Sequence, residues 1–114
     1  MVKRGDVVWA DFGQPRGSSP AFRRPAVVVQ ADWLNGSAIK TVLVVPLTTS
    51  ESAKAIPMNV HIPLPGTGLD RECVAQVAQL GPLDRSYLDP YPAGVVPAVI
   101  MRRIEAGIRL VAGL

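Results

Sequence analysis

The first part of the chain combines a short apolar run with a long stretch of turn residues. Residues 6–12 carry β-branched and aromatic residues between polar ends, which predicts a first strand after a turn at Gly5. Residues 13–22 hold two glycines, two prolines and two serines, which predicts a loop. Loops of this length in small domains are often functional, so this segment is a first place to look for a site.

Two further apolar runs predict buried strands. One is expected at about residues 25–31, where Pro25 fixes the entry, and the next at about residues 38–45. The Asn35-Gly36 pair between them is a strong turn signal.

The second half of the chain contains less decisive patterns. Residues 58–62 alternate apolar and polar positions, which predicts a half-exposed strand. Residues 73–80 fit a strand or a helix equally well by pattern. A strand is favoured, because eight residues between turn signals are few for a helix, and Gly81-Pro82 is expected to end it.

The C-terminal residues change to a helical period. Residues 83–88 predict one helical turn, and an amphipathic helix is expected from Pro97, which suits a first helical turn. One face of this helix carries the apolar residues Ile100, Ile104, Ile108 and Val111. The elements add up to a mainly β chain with about five short antiparallel strands in a small barrel, closed by a C-terminal helix.

The composition predicts one domain over residues 1–114 that pairs with a second copy of itself. Hydrophobic residues make up 48% of the chain and charged residues only 18%. That charge content is low for a monomer whose whole surface is wet, so a buried face in a homodimer is expected.

The charge distribution favours a polyanionic partner. The net charge is +3, and residues 13–31 contain three arginines, Arg16, Arg23 and Arg24, with no acidic residue. A mild basic excess confined to one segment points to nucleic acid without proving it.

The sequence offers little support for a disulfide, a metal site, a cofactor or a membrane segment. The single cysteine, Cys73, excludes an internal disulfide and is expected in the core. The only histidine, His61, has no ligand cluster at metal spacing, so no metal site and no cofactor are expected. No signal peptide or membrane span is recognisable, which predicts a cytoplasmic protein.

Arginine and hydroxyl side chains stand at the ends of two predicted strands. Arg24 precedes Pro25 at the start of one strand, and Thr48 and Thr49 follow Pro46 beyond the next. An arginine fork suits phosphate oxygens. The alternative is that Arg24 is a solvated strand-end residue and the threonines are ordinary turn residues.

The ordered set of segments resembles the MazF, PemK and Kid toxins. The matching segments are Lys3–Phe12, Gly17-Ser18, Arg24–Gln30, Val45–Thr49 and Gln76–Asp84, followed by the C-terminal helix. Together they cover essentially the whole chain.

The resemblance implies a small SH3-like barrel of the type shared by PemK and CcdB, and a homodimer. It implies a sequence-specific endoribonuclease that cuts single-stranded RNA without a metal. The RNA 2′-hydroxyl attacks the adjacent phosphate and leaves 2′,3′-cyclic phosphate and 5′-hydroxyl ends. The implied partner is a cognate antitoxin whose acidic C-terminal tail occupies the RNA groove.

Carried over residue by residue, the resemblance implies that Arg24 and Thr48 are catalytic. The residues expected to bind RNA are Arg16, Ser18, Ser19, Arg23, Thr49 and Gln79. Phe22 is expected in the core, with base stacking as the alternative.

Two positions depart from the family pattern. Ser19 stands where many members have an acid, and Gly81 stands where many have a basic residue. The general base is therefore open. A gyrase poison resembling CcdB is the alternative function, because one fold can carry either activity.

Overall fold

The computed structural model describes residues 1–114 and shows a curled, antiparallel sheet with a C-terminal helix. The seven strands are β1 Asp6–Asp11, β2 Arg23–Val28, β3 Thr41–Thr48, β4 Val60–Ile62, β5 Cys73–Ala75, β6 Gly81–Asp84 and β7 Gly94–Val95. The α-helices are α1 Asp32–Asn35 and α2 Ala98–Ala112, and 3₁₀ turns span Glu51–Ala55, Val77–Gln79 and Arg85–Tyr87. The predicted fold class is confirmed, with seven strands in place of about five.

Strand β3 is the centre of the sheet. The strand order is β4-β5-β3-β2-β1-β7, and β6 also pairs with β3. One edge of β3 carries β2, while the other carries β6 along its first half and β5 at its end. Because two strands share one edge, the chain between them has to step from one to the other.

That step corrects the prediction of a single strand over residues 73–80. The chain leaves β5 after Ala75 and turns through Val77–Gln79 before it enters β6. The Gln76 N–H donates to the Pro46 carbonyl at 2.9 Å, and Val77 is fully buried. Gly81-Pro82 therefore begins a strand that it was expected to end.

The predicted turn at Asn35-Gly36 is confirmed and lies at the end of α1. Asn35 is 1% exposed, and its amide donates to the Gln30 carbonyl and to Asp32 Oδ1, both at 3.0 Å. Gln30 Nε2 donates to Asn35 Oδ1 at 3.0 Å and to the Thr41 carbonyl at 3.1 Å. These hydrogen bonds satisfy two buried amides and stabilise the connection between β2 and β3.

The boundary of β3 also differs from its prediction. The strand runs from Thr41 to Thr48, three residues beyond the expected end at Val45, and passes through a buried Pro46. Thr48 is therefore the last residue of a strand, held opposite Val74 of β5, rather than a turn residue.

The two faces of the sheet bury separate apolar clusters. The larger contains Val7, Val27, Val45 and Leu47 and is covered by α2, whose Ile100 and Ile104 are buried in it. The smaller contains Val8, Ala26, Val28, Val42 and Val44. Neighbouring strand residues such as Val7 and Val8 enter opposite clusters because side chains alternate along a strand.

Helix α2 follows the predicted stripe in its first half only. Ile100 and Ile104 are buried, Ile108 is half-buried and Val111 is 41% exposed. The predicted helical turn at residues 83–88 is confirmed at Arg85–Tyr87. Neither helix has the length and apolar character that a membrane crossing requires.

Candidate functional site

A groove opens where β2 and β3 stop pairing. The last paired residues are Ala26 and Pro46. Beyond them β2 stays paired with β1 as far as Arg23, while β3 pairs with β5 as far as Thr48. The two strands therefore separate, and a cavity of about 360 Å³ lies between them. Its lining residues are Trp9, Ala21, Phe22, Arg23, Arg24, Pro25, Leu47, Thr48, Thr49, Leu69, Asp70, Arg71 and Cys73.

Arg24 and Thr48 occupy opposite walls of this groove. Each lies two residues beyond the last pair of the ladder, Ala26 with Pro46, so the two positions are in register although the strands have parted. The sheet thus fixes the backbone of both residues through the strands on their other sides. A rigid sheet places functional side chains more accurately than a loop does.

The Arg24 side chain is half-buried and held by the protein at two nitrogens. Nε donates to the Ala21 carbonyl at 3.1 Å, and Nη1 donates to Gln76 Oε1 at 3.5 Å, the long limit of a hydrogen bond. Nη2 has no protein partner. The guanidinium is therefore oriented on one side and free to donate to a ligand on the other.

The Thr48 hydroxyl is oriented by the chain that follows it. Its Oγ1 accepts a hydrogen bond from the Ser50 N–H at 3.1 Å. A hydroxyl that accepts one bond still has its own proton to donate. Thr49 is exposed on the same rim. The groove therefore offers hydroxyl donors opposite a guanidinium.

Arg23 lines the groove, but its charge is already paired. Nη1 and Nη2 donate to the two carboxylate oxygens of Asp89, each at 2.7 Å. The guanidinium also lies over the Trp9 ring, 5.3 Å from its centroid. The hydrogen bonds to Asp89 raise the pKa of Arg23 and lower the pKa of Asp89. A phosphate that binds Arg23 has to compete with this carboxylate.

Four of the predicted RNA-binding residues lie outside the groove. Arg16 and Ser19 line a second cavity of about 320 Å³, together with Asp11 and Tyr87. Ser18 and Gln79 are exposed and line neither cavity. Arg23, Arg24, Thr48 and Thr49 therefore line one groove, and its lining does not include Arg16, Ser18, Ser19 or Gln79.

Sequence reasoning missed three residues of the site. Asp70 and Arg71 line the groove from the segment before β5, and Gln76 contacts Arg24 from the segment after it. The adjacent charges of Asp70 and Arg71 after the glycine-rich turn were the available signal. Gln76 carried no signal in the sequence, because its contact with Arg24 joins residues far apart in the chain.

Phe22 corrects another expectation. It was expected in the core, but it is 57% exposed at the rim of the groove. The core position in this loop belongs to its neighbour Ala21, which is 7% exposed. The β1–β2 loop therefore directs a small residue inward and a large aromatic residue toward the groove.

Cys73 lies at the base of the groove and His61 lies away from it. Cys73 is buried, as predicted, and burial raises the pKa of its thiol, which favours the unreactive neutral form. His61 is exposed on β4 with Nε2 3.2 Å from Glu72 Oε2. No group of three or more His, Cys, Asp or Glu side chains is placed to hold a metal ion.

The charges of the groove suit a phosphodiester. Arg23, Arg24 and Arg71 face a single lining carboxylate, Asp70. Guanidinium and hydroxyl donors are the groups that stabilise charge developing on phosphate oxygens in a transition state. The arrangement can hold a phosphate between Arg24 and Thr48 and leave Asp70 close by.

Comparisons with known proteins identify the family that this chain resembles over nearly its whole length. Residues 3–112 match the family described as PemK-like, MazF-like toxin of type II toxin–antitoxin system. Endoribonuclease MazF2 of Mycobacterium bovis is 37% identical over 114 residues, which cover 100% of this chain and 99% of that protein. Endoribonuclease MazF9 of Mycobacterium tuberculosis is 33% identical, with 96% of this chain and 95% of that protein covered.

Solved structures share the fold. A MazF crystal structure from Deinococcus radiodurans superposes with a TM-score of 0.84 at 23% identity, covering 99% of this chain and 97% of that one. A mycobacterial endoribonuclease in complex with its cognate antitoxin gives 0.81 at 22% identity, covering 100% and 97%.

These matches decide between the two functions that the sequence left open. The CcdB-like gyrase poison is wrong as an alternative, because the family match spans nearly the whole chain and the relatives at 33–37% identity are endoribonucleases. The chain belongs to the PemK-like, MazF-like toxins of type II toxin–antitoxin systems.

Proposed function

We propose that this chain is a toxin endoribonuclease that cleaves single-stranded messenger RNA in the cytoplasm, at sites set by the bases around the scissile phosphate. The observation that carries the proposal is the placement of Arg24 and Thr48 on opposite walls of one cationic groove. Full-length relatives that are endoribonucleases support it.

The RNA supplies the nucleophile. The 2′-oxygen forms a bond to the adjacent phosphorus, and the bond from phosphorus to the 5′-oxygen of the next nucleotide breaks. The products are a 2′,3′-cyclic phosphate and a 5′-hydroxyl, and no cofactor takes part. DNA lacks the 2′-hydroxyl and is not cut.

Arg24 and Thr48 stabilise the charge that develops on the phosphorane. The free Nη2 of Arg24 donates to a non-bridging oxygen, and the Thr48 hydroxyl donates to the same phosphate from the opposite wall. Donors already fixed by Ala21 and Ser50 need little reorganisation during the reaction, which is why such groups contribute strongly to rate.

Asp70 is the proposed proton acceptor for the 2′-hydroxyl. Ser19, which stands where many relatives have an acid, lines a different cavity. Asp70 is the one carboxylate that lines the groove with Arg24 and Thr48. It takes the 2′-proton as the new bond forms, and water protonates the departing 5′-oxygen.

The proposed assembly is a homodimer that a cognate antitoxin neutralises. Large apolar side chains remain exposed on one chain, among them Trp33, Leu110 and Leu114 at 76%, 73% and 89%. MazE–MazF complexes from Deinococcus radiodurans have been solved, as has the mycobacterial complex with its antitoxin. An acidic C-terminal antitoxin tail matches the charge of the groove, so it competes with RNA for Arg24.

RNA cleavage in EDTA tests the proposal. The purified chain is expected to cut single-stranded RNA with EDTA present. Arg24→Ala is expected to lower the rate at least about 100-fold, the scale of losing a positioned donor. The matched control is Arg109→Ala, an exposed arginine in the last turn of α2. Equal rates for the two variants, or a wild-type rate abolished by EDTA, would contradict the proposal.

A further inference from the structure

We propose that Phe22 is a base-stacking residue that helps to hold the RNA at the cleavage site. This inference rests on the proposed function and adds a contact to a base beside the scissile phosphate. Three observations carry it: the backbone conformation of Phe22, the exposure of its ring, and its position relative to Arg24.

The backbone of Phe22 adopts a conformation that favours glycine. Its φ is +60°, the only positive φ at a non-glycine residue in the chain. A large side chain in the left-handed region is costly, and such residues cluster at functional sites. Phe22 is 57% exposed, so the packing of its ring does little to offset the cost of this backbone conformation.

The loop imposes this conformation through two short backbone hydrogen bonds. The Phe22 N–H donates to the Gly13 carbonyl at 2.6 Å, and the Phe12 N–H donates to the Phe22 carbonyl at 2.8 Å. These bonds close the loop between β1 and β2 at its base. Phe22 is thus held by its backbone while its side chain is displayed, which is the arrangement of a preformed binding residue.

Phe22 lies beside the groups that hold the phosphate. Only Arg23 separates it from Arg24, so the Cα atoms of Phe22 and Arg24 are at most about 7 Å apart. The residue before it, Ala21, accepts the hydrogen bond from Arg24 Nε. Phe22 and Arg24 line the same groove. A phosphate held by Arg24 therefore brings one of its two flanking bases to the Phe22 ring.

The chemistry of the rim fits an unpaired base. Phe22 presents an aromatic face, and Trp9 and the guanidinium of Arg23 form a stacked pair on the same groove wall. Unpaired bases stack on aromatic side chains and on arginine planes in single-stranded RNA complexes. The lining carries three arginines and Asp70 as its single carboxylate, so the charge around the ring suits a polyanion such as RNA.

The test compares Phe22→Gly with Phe22→Tyr. Glycine removes the ring and also suits a φ of +60°, so Phe22→Gly is expected to fold with an equal or higher melting temperature. Tyrosine retains an aromatic face and is the matched control. The ligand is the RNA oligonucleotide that the wild type cuts, with a 2′-deoxy group at the mapped cleavage position so that binding is measured alone.

Phe22→Gly is expected to raise the Kd of this oligonucleotide about 5- to 100-fold, the range for one stacked base, while Phe22→Tyr binds like wild type. An abasic nucleotide on one side of the cleavage position should weaken wild-type binding by a similar factor. It should weaken binding to Phe22→Gly far less, because the stacking contact is already gone.

Three results distinguish the possible failures. Equal affinity of wild type and Phe22→Gly for every oligonucleotide overturns this inference while leaving the cleavage activity intact. Loss of the dimer by Phe22→Gly in light scattering also overturns it, because the ring would then belong to a subunit interface. A wild type that neither binds nor cuts RNA refutes the proposed function itself.

Discussion

Arg24 and Thr48 lie in register across a gap, two residues beyond the last pair of the β2–β3 ladder. Their strands diverge because each is captured by another neighbour, β1 for β2 and β5 for β3. The sheet thus leaves a groove of about 360 Å³ with a guanidinium on one wall and a hydroxyl on the other.

Thr48→Val should lower kcat about 100- to 1,000-fold, because valine keeps the shape of threonine and loses the donor to the phosphate. The free energy of unfolding should change by less than about 1 kcal/mol. The one group that loses a hydrogen bond is the Ser50 N–H, and it is exposed rather than buried. Thr41→Val at the other end of β3 is the control and should cleave normally. A Thr48→Val enzyme as fast as this control would remove Thr48 from the mechanism.

Asp70→Asn should lower the cleavage rate about 100- to 10,000-fold, the range for a general base. Amide and carboxylate have nearly the same size, so the change removes the proton acceptor and leaves the groove in place. Glu105→Gln on α2 is the matched control and should cleave at the wild-type rate. Single-turnover cleavage of one RNA oligonucleotide measures both rates, and an Asp70→Asn variant as fast as the control would assign the base elsewhere.

Asp89→Asn should make the free energy of unfolding less dependent on pH under acidic conditions. The hydrogen bonds from Arg23 lower the folded-state pKa of Asp89, so this carboxylate binds protons more readily in the unfolded chain. Its stabilising contribution is full above the unfolded pKa of about 4 and is lost as the pH falls through the lower folded value. The wild type should lose more stability than Asp89→Asn between about pH 4 and pH 2.

Melting temperatures of the two proteins across that pH range give the difference directly. Asp84 and Asp32 also have lowered pKa values, but both remain in the variant and cancel in the comparison. Parallel curves would mean that the Arg23–Asp89 pair contributes nothing in solution, as exposed pairs often do.

Gly107→Ala should destabilise the fold although alanine is the better helix former. An added Cβ would lie 2.8 Å from the Met58 carbonyl oxygen and 3.2 Å from Val77 Cγ1. A gain of about 1 kcal/mol in helix propensity is outweighed by an overpacking cost of about 1–3 kcal/mol at a rigid backbone oxygen. Urea unfolding measures the net loss. Gly36→Ala, whose nearest atom would be 3.5 Å away, is the control, and an equally stable Gly107→Ala would show that α2 shifts freely.

The sequence was sufficient for the fold class because the apolar runs are long and their neighbours are turn residues. Sequence patterns did not predict the strands correctly where one strand pairs with two others along the same edge. Residues 73–80 read as one strand, yet β3 offers one edge to both β5 and β6, and no local pattern encodes that step. No local pattern predicted β7 either, because this strand is only two residues long.

For the site, the strand-end positions of Arg24 and Thr48 made them candidates, and the family resemblance implied their roles. The ladder register explains why both line the same groove. Asp70 and Gln76 could not be found this way, because their relation to Arg24 depends on segments that the fold brings together. Ser19 shows the converse: it is near Arg24 in sequence but lines a different cavity.

The proposed reaction uses the RNA's own 2′-hydroxyl as the nucleophile in the groove between β2 and β3. Mass spectrometry tests this on the products from two oligonucleotides that differ by one 2′-deoxy group at the cleavage position, incubated with wild-type protein in EDTA. We predict that the all-RNA strand gives a 2′,3′-cyclic phosphate and a 5′-hydroxyl and that the 2′-deoxy strand binds uncut. Cleavage of the 2′-deoxy strand, or a 5′-phosphate on the product, would mean that the nucleophile is not the 2′-hydroxyl.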